Sequence, residues 1–298
     1  MSVHRCVMGL RMKNSRMIYG IFPLLFIMAQ SSFGQNPVAD STYAREMAEW
    51  QTRRLDALKR PQGWLALVAL EWLKEGPNTL DSIGTLTLSK GVVRFQAFRG
   101  VHPKIGSKYF TSGRLKIEGG KEPADKVAIG TKVFTVIKRG DRFAVRMWDS
   151  TSPNLNNFSG IDRFPVQKRW KIYARWEAYE KPKMIKVASV IPGYVEEYPV
   201  AGAAVFTNYA REFRLEPVGP INEPLFFIFA DRTNGQETYG GGRFLYADPP
   251  KDGIVILDFN KAINPPCAFT PFATCPLPPE SNKLPFRVEA GEKNFGDH

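Results

Sequence analysis

The apolar positions along this 298-residue chain change period once. Met47, Trp50, Gln51, Leu55 and Leu58 recur at steps of three and four, which predicts an amphipathic helix over about 41–59. Asp40 or Ser41 can cap its start, and Pro61 stops it. Glu46 and Glu49 stand toward its beginning, and Arg53, Arg54, Lys59 and Arg60 toward its end. That order complements the helix dipole.

Past Pro61 the period falls to two. Trp64 to Leu73 is nearly all apolar and reads as a buried strand or a helical turn. Thr85–Leu88 and Val92–Phe98 predict a hairpin around Lys90-Gly91, and Val133–Lys138 with Arg142–Trp148 a second around Arg139-Gly140-Asp141. Phe143, Val145 and Met147 alternate with Arg142, Ala144 and Arg146; Trp170, Ile172, Ala174 and Trp176 alternate with Lys171, Tyr173 and Arg175. Such alternation belongs to antiparallel sheets with one face open to water. Further strands are expected at 185–191, 203–207, 211–216, 225–230, 237–246 and 254–259. Turn signals recur about every ten residues, and no βαβ rhythm is present. The expected fold is therefore all-β, an antiparallel sandwich or partly open barrel, with an N-terminal amphipathic helix.

Upstream of the helix the chain reads as an export signal. Arg5, Arg11, Lys13 and Arg16 precede an apolar run from Ile18 to Ala29, then Ser31, Ser32 and Gly34. A basic start, a short apolar stretch and small residues near the cut define a secretory leader. The run is too short for the ~20 residues of a spanning helix. The expected organisation is a signal peptide over 1–34 and a single β-rich domain over 35–298, periplasmic or secreted, with no membrane span after cleavage. Four of the 41 Lys and Arg lie in the leader, so 37 bases face 29 acids in the mature chain, a net charge of +8. The excess is scattered, and no basic stripe with interleaved aromatics suggests nucleic acid. After cleavage only His102 and His298 remain. A histidine-rich metal site is excluded, and no metal is expected.

Residues 225–293 differ in character. The apolar run Leu225–Phe229 leads to the turn Asp231-Arg232-Thr233-Asn234-Gly235. Glu237-Thr238-Tyr239-Gly240-Gly241-Gly242-Arg243-Phe244 follows. Then come Ile254–Asn260 and the irregular stretch Asn264 to Pro276. Three glycines in a strand ask for a reason, either close approach of a ligand or backbone, or a bulge. No helix follows the glycines and no Lys-Ser/Thr pair closes them, so they are no nucleotide fingerprint and no cofactor is expected. Arg243 beside backbone N–H groups is a candidate anion clamp. Asp258 and Asn260 stand two apart on a strand and share a face; they could hold a ligand or bond the loop that follows. Asn264, before Pro265, is a candidate ligand group or turn starter. Cys267 and Cys275 are the only cysteines of the mature chain. In an exported protein they are a candidate disulfide, worth about 2–3 kcal/mol in the chain-entropy model for so short a loop. Packed thiols, a reactive pair and metal ligation are the alternatives.

These segments resemble a bacterial and archaeal family of domains of unknown function, numbered 1684. The resemblance rests on Gly63-Trp64-Leu65, Arg139-Gly140-Asp141-Arg142, Phe164-Pro165 with Trp170, the Glu237–Phe244 run and the Asp258–Pro278 stretch. It spans essentially the whole mature chain and carries no activity with it. Members of the family occur with and without export signals.

Two functional expectations follow. In the first the protein binds, and as an enzyme hydrolyses, a small anionic or sugar-like ligand. Glu237 or Asp258 would then move protons, Arg243 clamp the anion, and Tyr239, Asn260 and Asn264 orient it. In the second it is a non-catalytic module for a glycan or protein partner of the cell envelope. The first requires Glu237, Arg243, Asp258 and Asn260 to line one cleft.

Overall fold

A computed structural model describes residues 41–120, 122–221 and 223–296. The expected signal peptide, Cys6 and His298 lie outside the described residues. The predicted helix is α1 (Ser41–Leu58), with Tyr43, Met47 and Leu58 buried and Trp50, Gln51 and Leu55 half-buried beside them. A 3-10 turn at Trp64–Ala66 runs straight into β1 (Leu67–Trp72), so both readings of the 64–73 run are realised in succession.

The first half continues with β2 (Gly76–Leu80), β3 (Gly84–Ser89), β4 (Val92–Ala97), β5 (Lys104–Ile105), β6 (Lys108–Tyr109), β7 (Ser112–Arg114), β8 (Val127–Ile129), β9 (Lys132–Arg139) and β10 (Arg142–Asp149). They form two antiparallel sheets, ordered β1-β10-β9-β8-β5-β6 and β2-β3-β4-β7. Leu86, Phe95, Phe134 and Val136, all fully or almost fully buried, fill the space the sheets share. Lys90 and Gly91 both take positive φ (49° and 77°), the geometry that closes a two-residue hairpin in register with strand twist.

The second half holds α2 (Pro153–Asn156), β11 (Lys171–Ala188), β12 (Val195–Asn208), β13 (Arg211–Leu215), β14 (Leu225–Phe229), β15 (Arg243–Ala247) and β16 (Ile254–Asp258). Its sheets are β13-β12-β11-β16 and β14-β15. Trp170, Phe206, Phe227, Phe229, Leu257 and Phe259 form their common core. At roughly 1.5–3 kcal/mol for each fully buried large apolar side chain, such a cluster is the main source of this half's stability. Both halves belong to one compact unit, Pro37–His298. The all-β class with an N-terminal helix holds, as two sandwich-like halves. Among the described residues no helix is long and apolar enough to cross a membrane.

Three expectations are corrected. Strands 170–176 and 185–191 are one strand, β11, which pairs along β12 with a register shift between Ala178 and Lys183. The strand expected over 237–246 begins only at Arg243. Before it, the Thr233 carbonyl accepts the N–H groups of Gln236, Glu237 and Thr238, so the chain coils instead of extending. The Arg142–Ala144–Arg146 face of β10 opens to water only at Arg142: Ala144 is 0% and Arg146 5% exposed, and the Trp64 ring and Glu118 stand against the Arg146 guanidinium.

Candidate functional site

The turn after β14 and the start of β15 are locked by one ion pair. Arg243 Nη2 donates to Asp231 Oδ2 at 2.7 Å, and both side chains are 0% exposed. Nη2 also donates to the Val288 carbonyl at 2.9 Å, Nη1 donates to the Ala290 carbonyl, and the guanidinium lies 5.2 Å from the Phe229 ring centroid. Asp231 Oδ1 accepts from Thr233 N, Thr233 Oγ1 and Val288 N at 2.9, 2.7 and 3.0 Å. An anion clamp needs a guanidinium that faces solvent or a cavity. Arg243 faces neither and fastens the C-terminal segment to β15. The glycines serve the same packing. Gly242 has φ +88°, and a Cβ there would collide with Pro278 Cγ and come within 2.7 Å of the Phe229 carbonyl. The close approach is to the chain's own Pro-rich loop.

Asp258 and Asn260 are not alternate residues of one strand, because β16 ends at Asp258 and Asn260 lies in the 3-10 turn Phe259–Lys261; their side chains still meet, and α1 covers them. Tyr43 Oη donates to Asp258 Oδ1 and Oδ2 at 2.7 and 2.9 Å. Asn260 Nδ2 donates to Asp258 Oδ1, the Gln167 carbonyl and Tyr43 Oη, and Asn260 Oδ1 accepts from Gln167 N at 3.0 Å. Burial, then the bond to Asp258, holds the Tyr43 hydroxyl well above the usual tyrosine range. Asn264, 1% exposed, donates through Nδ2 to the Lys293 carbonyl and through its backbone N to Glu292 Oε2, each at 2.7 Å. Glu292, itself 0% exposed, receives Arg54 Nε and Arg163 Nη2 at 3.0 Å each. Glu237 pairs with Arg287 at a half-exposed position. Glu237, Arg243, Asp258 and Asn260 therefore do not line one cleft. Asp258 alone borders an open groove of about 940 Å³, with Lys171, Tyr173, Tyr246 and Ile256. His102 is exposed, edge-on to Tyr109. Among the described residues no three potential metal ligands gather.

Cys267 and Cys275 are unbonded thiols, although they touch: Cys267 N donates to Cys275 Sγ at 3.1 Å. Burial, and after it the neighbouring Cys267 thiol, push the Tyr239 hydroxyl far above the usual range.

A different cavity has the features of a binding site. About 420 Å³ in volume, it opens where β9 and β10 of the first half meet β12, β14 and the loop of Pro266–Pro276 from the second. Arg146 projects into it from the middle of β10. Its Nη1 reaches Glu118 Oε2 only at 3.4 Å, its buried Nε has no partner, and its guanidinium stands 5.5 Å from the Trp64 ring centroid. Arg139 Nη2 donates to the other oxygen of Glu118 at 2.9 Å, and Arg139 Nε donates to Thr274 Oγ1 at 3.4 Å. Burial, and secondarily Arg139, pull the Arg146 pKa down; Glu118 opposes both. Tyr198, whose hydroxyl donates to Glu196 Oε2 at 2.8 Å, stands across the cavity, and Phe226 and Phe244 add apolar wall. Inspection of the sequence missed this site because its members lie far apart along the chain. The one available signal was Arg146 itself, a cation in the middle of the apolar strand Phe143–Trp148.

These features define a two-lobed antiparallel β protein with a polar, arginine-bearing cleft between its sandwich-like halves. The chain belongs, through residues 156–293, to the family described as Protein of unknown function (DUF1684). Gly63–Leu65 and Arg139–Arg142 fall outside that span, as do Arg146 and Glu118 of the cleft; Glu196, Tyr198 and Cys275 fall inside it. An uncharacterized protein of Haloarcula marismortui, solved by solution NMR, is 30% identical over 48% of this chain and 80% of its own, with a TM-score of 0.40. No curated protein matches the chain.

Proposed function

We propose that this is an exported protein that binds a small oxyanion, a carboxylate or phosphate on a compact apolar body, in the cleft of Arg139 and Arg146. Arg146 carries the reading. A guanidinium has five N–H donors, and leaving such a donor buried and unpaired costs about 1–3 kcal/mol. Arg146 has one long bond to Glu118 and a buried Nε with none. An oxyanion on the cleft side would complete it in the bidentate geometry that suits arginine, while Trp64, Phe226 and Phe244 take the apolar body. Binding is the function supported; the carboxylates first considered for proton transfer, Glu237 and Asp258, do not border this cleft. The basic leader supports export, which a fusion of residues 1–40 to a reporter tests by whether the reporter leaves the cytoplasm.

Titration calorimetry of the purified chain with phosphate and benzoate tests the site. Saturable binding of one of them, weakened at least tenfold in Arg146→Met with the melting temperature little changed, supports the reading. Equal binding by Arg146→Met, or no binding of either anion, refutes it. A second reading, a glycan-binding face, rests on the groove beside Asp258, where Tyr173 and Tyr246 are 66% and 50% exposed and present flat apolar rings to a passing sugar.

A further inference from the structure

Cys267 and Cys275 sit eight residues apart on the loop that walls the cleft, and both ends of that loop are pinned. On the Cys275 side, Val190 N donates to the Cys275 carbonyl at 3.0 Å and Leu277 N donates to the Ala188 carbonyl at 2.7 Å. On the Cys267 side, a 3-10 turn covers Pro266–Ala268, and Arg54 Nη2 donates to the Asn264 carbonyl at 3.1 Å. The two side chains pack in one apolar cluster with Val187, Ile228 and Phe244, and Cys275 Sγ rests on the backbone N of Cys267. Their access to solvent differs: Cys267 is half-buried, whereas Cys275 is 4% exposed.

We propose that Cys267 and Cys275 are a reversible dithiol–disulfide couple, oxidised by exchange with a small-molecule disulfide, in which Cys267 attacks and Cys275 resolves. In the first step Cys267, having given up its proton, bonds through Sγ to one sulfur of the incoming disulfide. That disulfide's S–S bond breaks, and the departing thiolate takes up a proton. In the second step Cys275 loses its proton and attacks Cys267 Sγ; the mixed disulfide breaks, and a second thiol leaves. The balance is one protein dithiol and one disulfide giving one protein disulfide and two thiols, with no other oxidant. The order of attack follows from exposure, and the opposite directions of the two thiol pKa shifts agree with it. The neighbouring Cys275 thiol and then the Tyr239 hydroxyl draw the Cys267 pKa down, against its burial. The same contact with Cys267, together with burial, pushes the Cys275 thiol up. Thiolate character and access are what make a cysteine the attacking partner.

The test uses the full chain in a Cys6→Ser background, so that the pair holds the only thiols. Native protein is equilibrated across ratios of oxidised to reduced glutathione, quenched with N-ethylmaleimide and weighed intact. The expected result is a transition from two alkylated thiols to none, with a mass lower by two hydrogens, reversed by dithiothreitol. Cys275→Ala should stop at a stable glutathione adduct, and Cys267→Ala should form its adduct at least tenfold more slowly. Two alkylated thiols at every ratio, a disulfide that forms only in urea, or faster adduct formation at Cys275 would overturn the proposal. The experiment does not depend on the oxyanion reading: failure to bind phosphate or benzoate leaves these masses unchanged.

Discussion

Replacing Arg243 with methionine separates a structural arginine from a ligand-binding one. The substitution keeps much of the apolar stem over Phe229 but removes the Asp231 ion pair and the bonds to the carbonyls of Val288 and Ala290. Asp231 would remain in a 0%-exposed site without its counter-charge. Removing one partner of a buried pair typically costs about 3–5 kcal/mol. Here the lower end is expected, because Asp231 keeps three donors from Thr233 and Val288. Against a typical domain stability of about 5–15 kcal/mol, a loss near 3 kcal/mol is large, and urea unfolding followed by tryptophan fluorescence would resolve it as a clear drop in midpoint. Adding Asp231→Asn should recover part of the loss, since the uncompensated charge, more than the missing attraction, makes the single variant unstable. A loss within about 0.5 kcal/mol, the range of ordinary surface changes, would refute the reasoning. So would an Arg243→Met protein of unchanged stability that no longer binds phosphate or benzoate.

Gly242→Ala should lower the melting temperature by several degrees, because its φ of +88° and the approach of Pro278 and Phe229 leave no place for a Cβ; an unchanged melt in a calorimeter would contradict this. Glu118→Gln should tighten oxyanion binding several-fold by calorimetry, since it neutralises the carboxylate that both Arg139 and Arg146 now face; weaker binding would show that Glu118 helps hold the ligand. Glu216 is pushed up by burial, but hydrogen bonds from Lys183, Tyr179 and Ser281 outweigh that and leave its pKa below the usual glutamate value. Its stabilising contribution is therefore full above about pH 4.3 and is lost as pH falls through the lower folded-state value. Glu216→Gln should flatten stability against pH in that acid window, as measured by urea midpoints; an unchanged slope would count against it.

Much of the fold was legible because its signals are local. The steps of three and four from Met47 to Leu58 marked α1, and the alternation from Trp170 to Trp176 gave the inner face of β11. Lys90-Gly91 announced its own turn. What could not be read depended on distant partners. Nothing near Arg146 in sequence says that Trp64 and Glu118 will cover its face of β10. Nothing near Glu237 says that the Thr233 carbonyl will gather the next turn's N–H groups and delay β15 until Arg243. The apolar stripe of the helix speaks only for packing. Yet Tyr43 and Arg54 carry its polar groups into the Asp258 and Glu292 networks, across more than two hundred residues of chain.

The same contrast explains why the segment richest in polar motifs is not where the proposed ligand binds. Buried polar groups are nearly always hydrogen-bonded, so a fold that buries Asp231, Asp258, Asn260 and Glu292 needs donors close by. Thr233, Tyr43, Asn264, Arg54, Arg163 and Arg243 are those donors. A dense cluster of chemical side chains in sequence is then what internal satisfaction looks like, and its charge is consumed within the fold. A binding site shows the opposite, a buried group whose partners are too few. Asn264 Oδ1 and the ε-nitrogens of Arg243 and Arg146 all lack partners. Arg243 has strong bonds at both terminal nitrogens, and Asn264 spends its amide on Lys293. Of these three only Arg146 combines the deficit with a single weak bond and a position bordering the 420 Å³ cleft. The ligand is to be sought where the chain leaves its own chemistry unfinished.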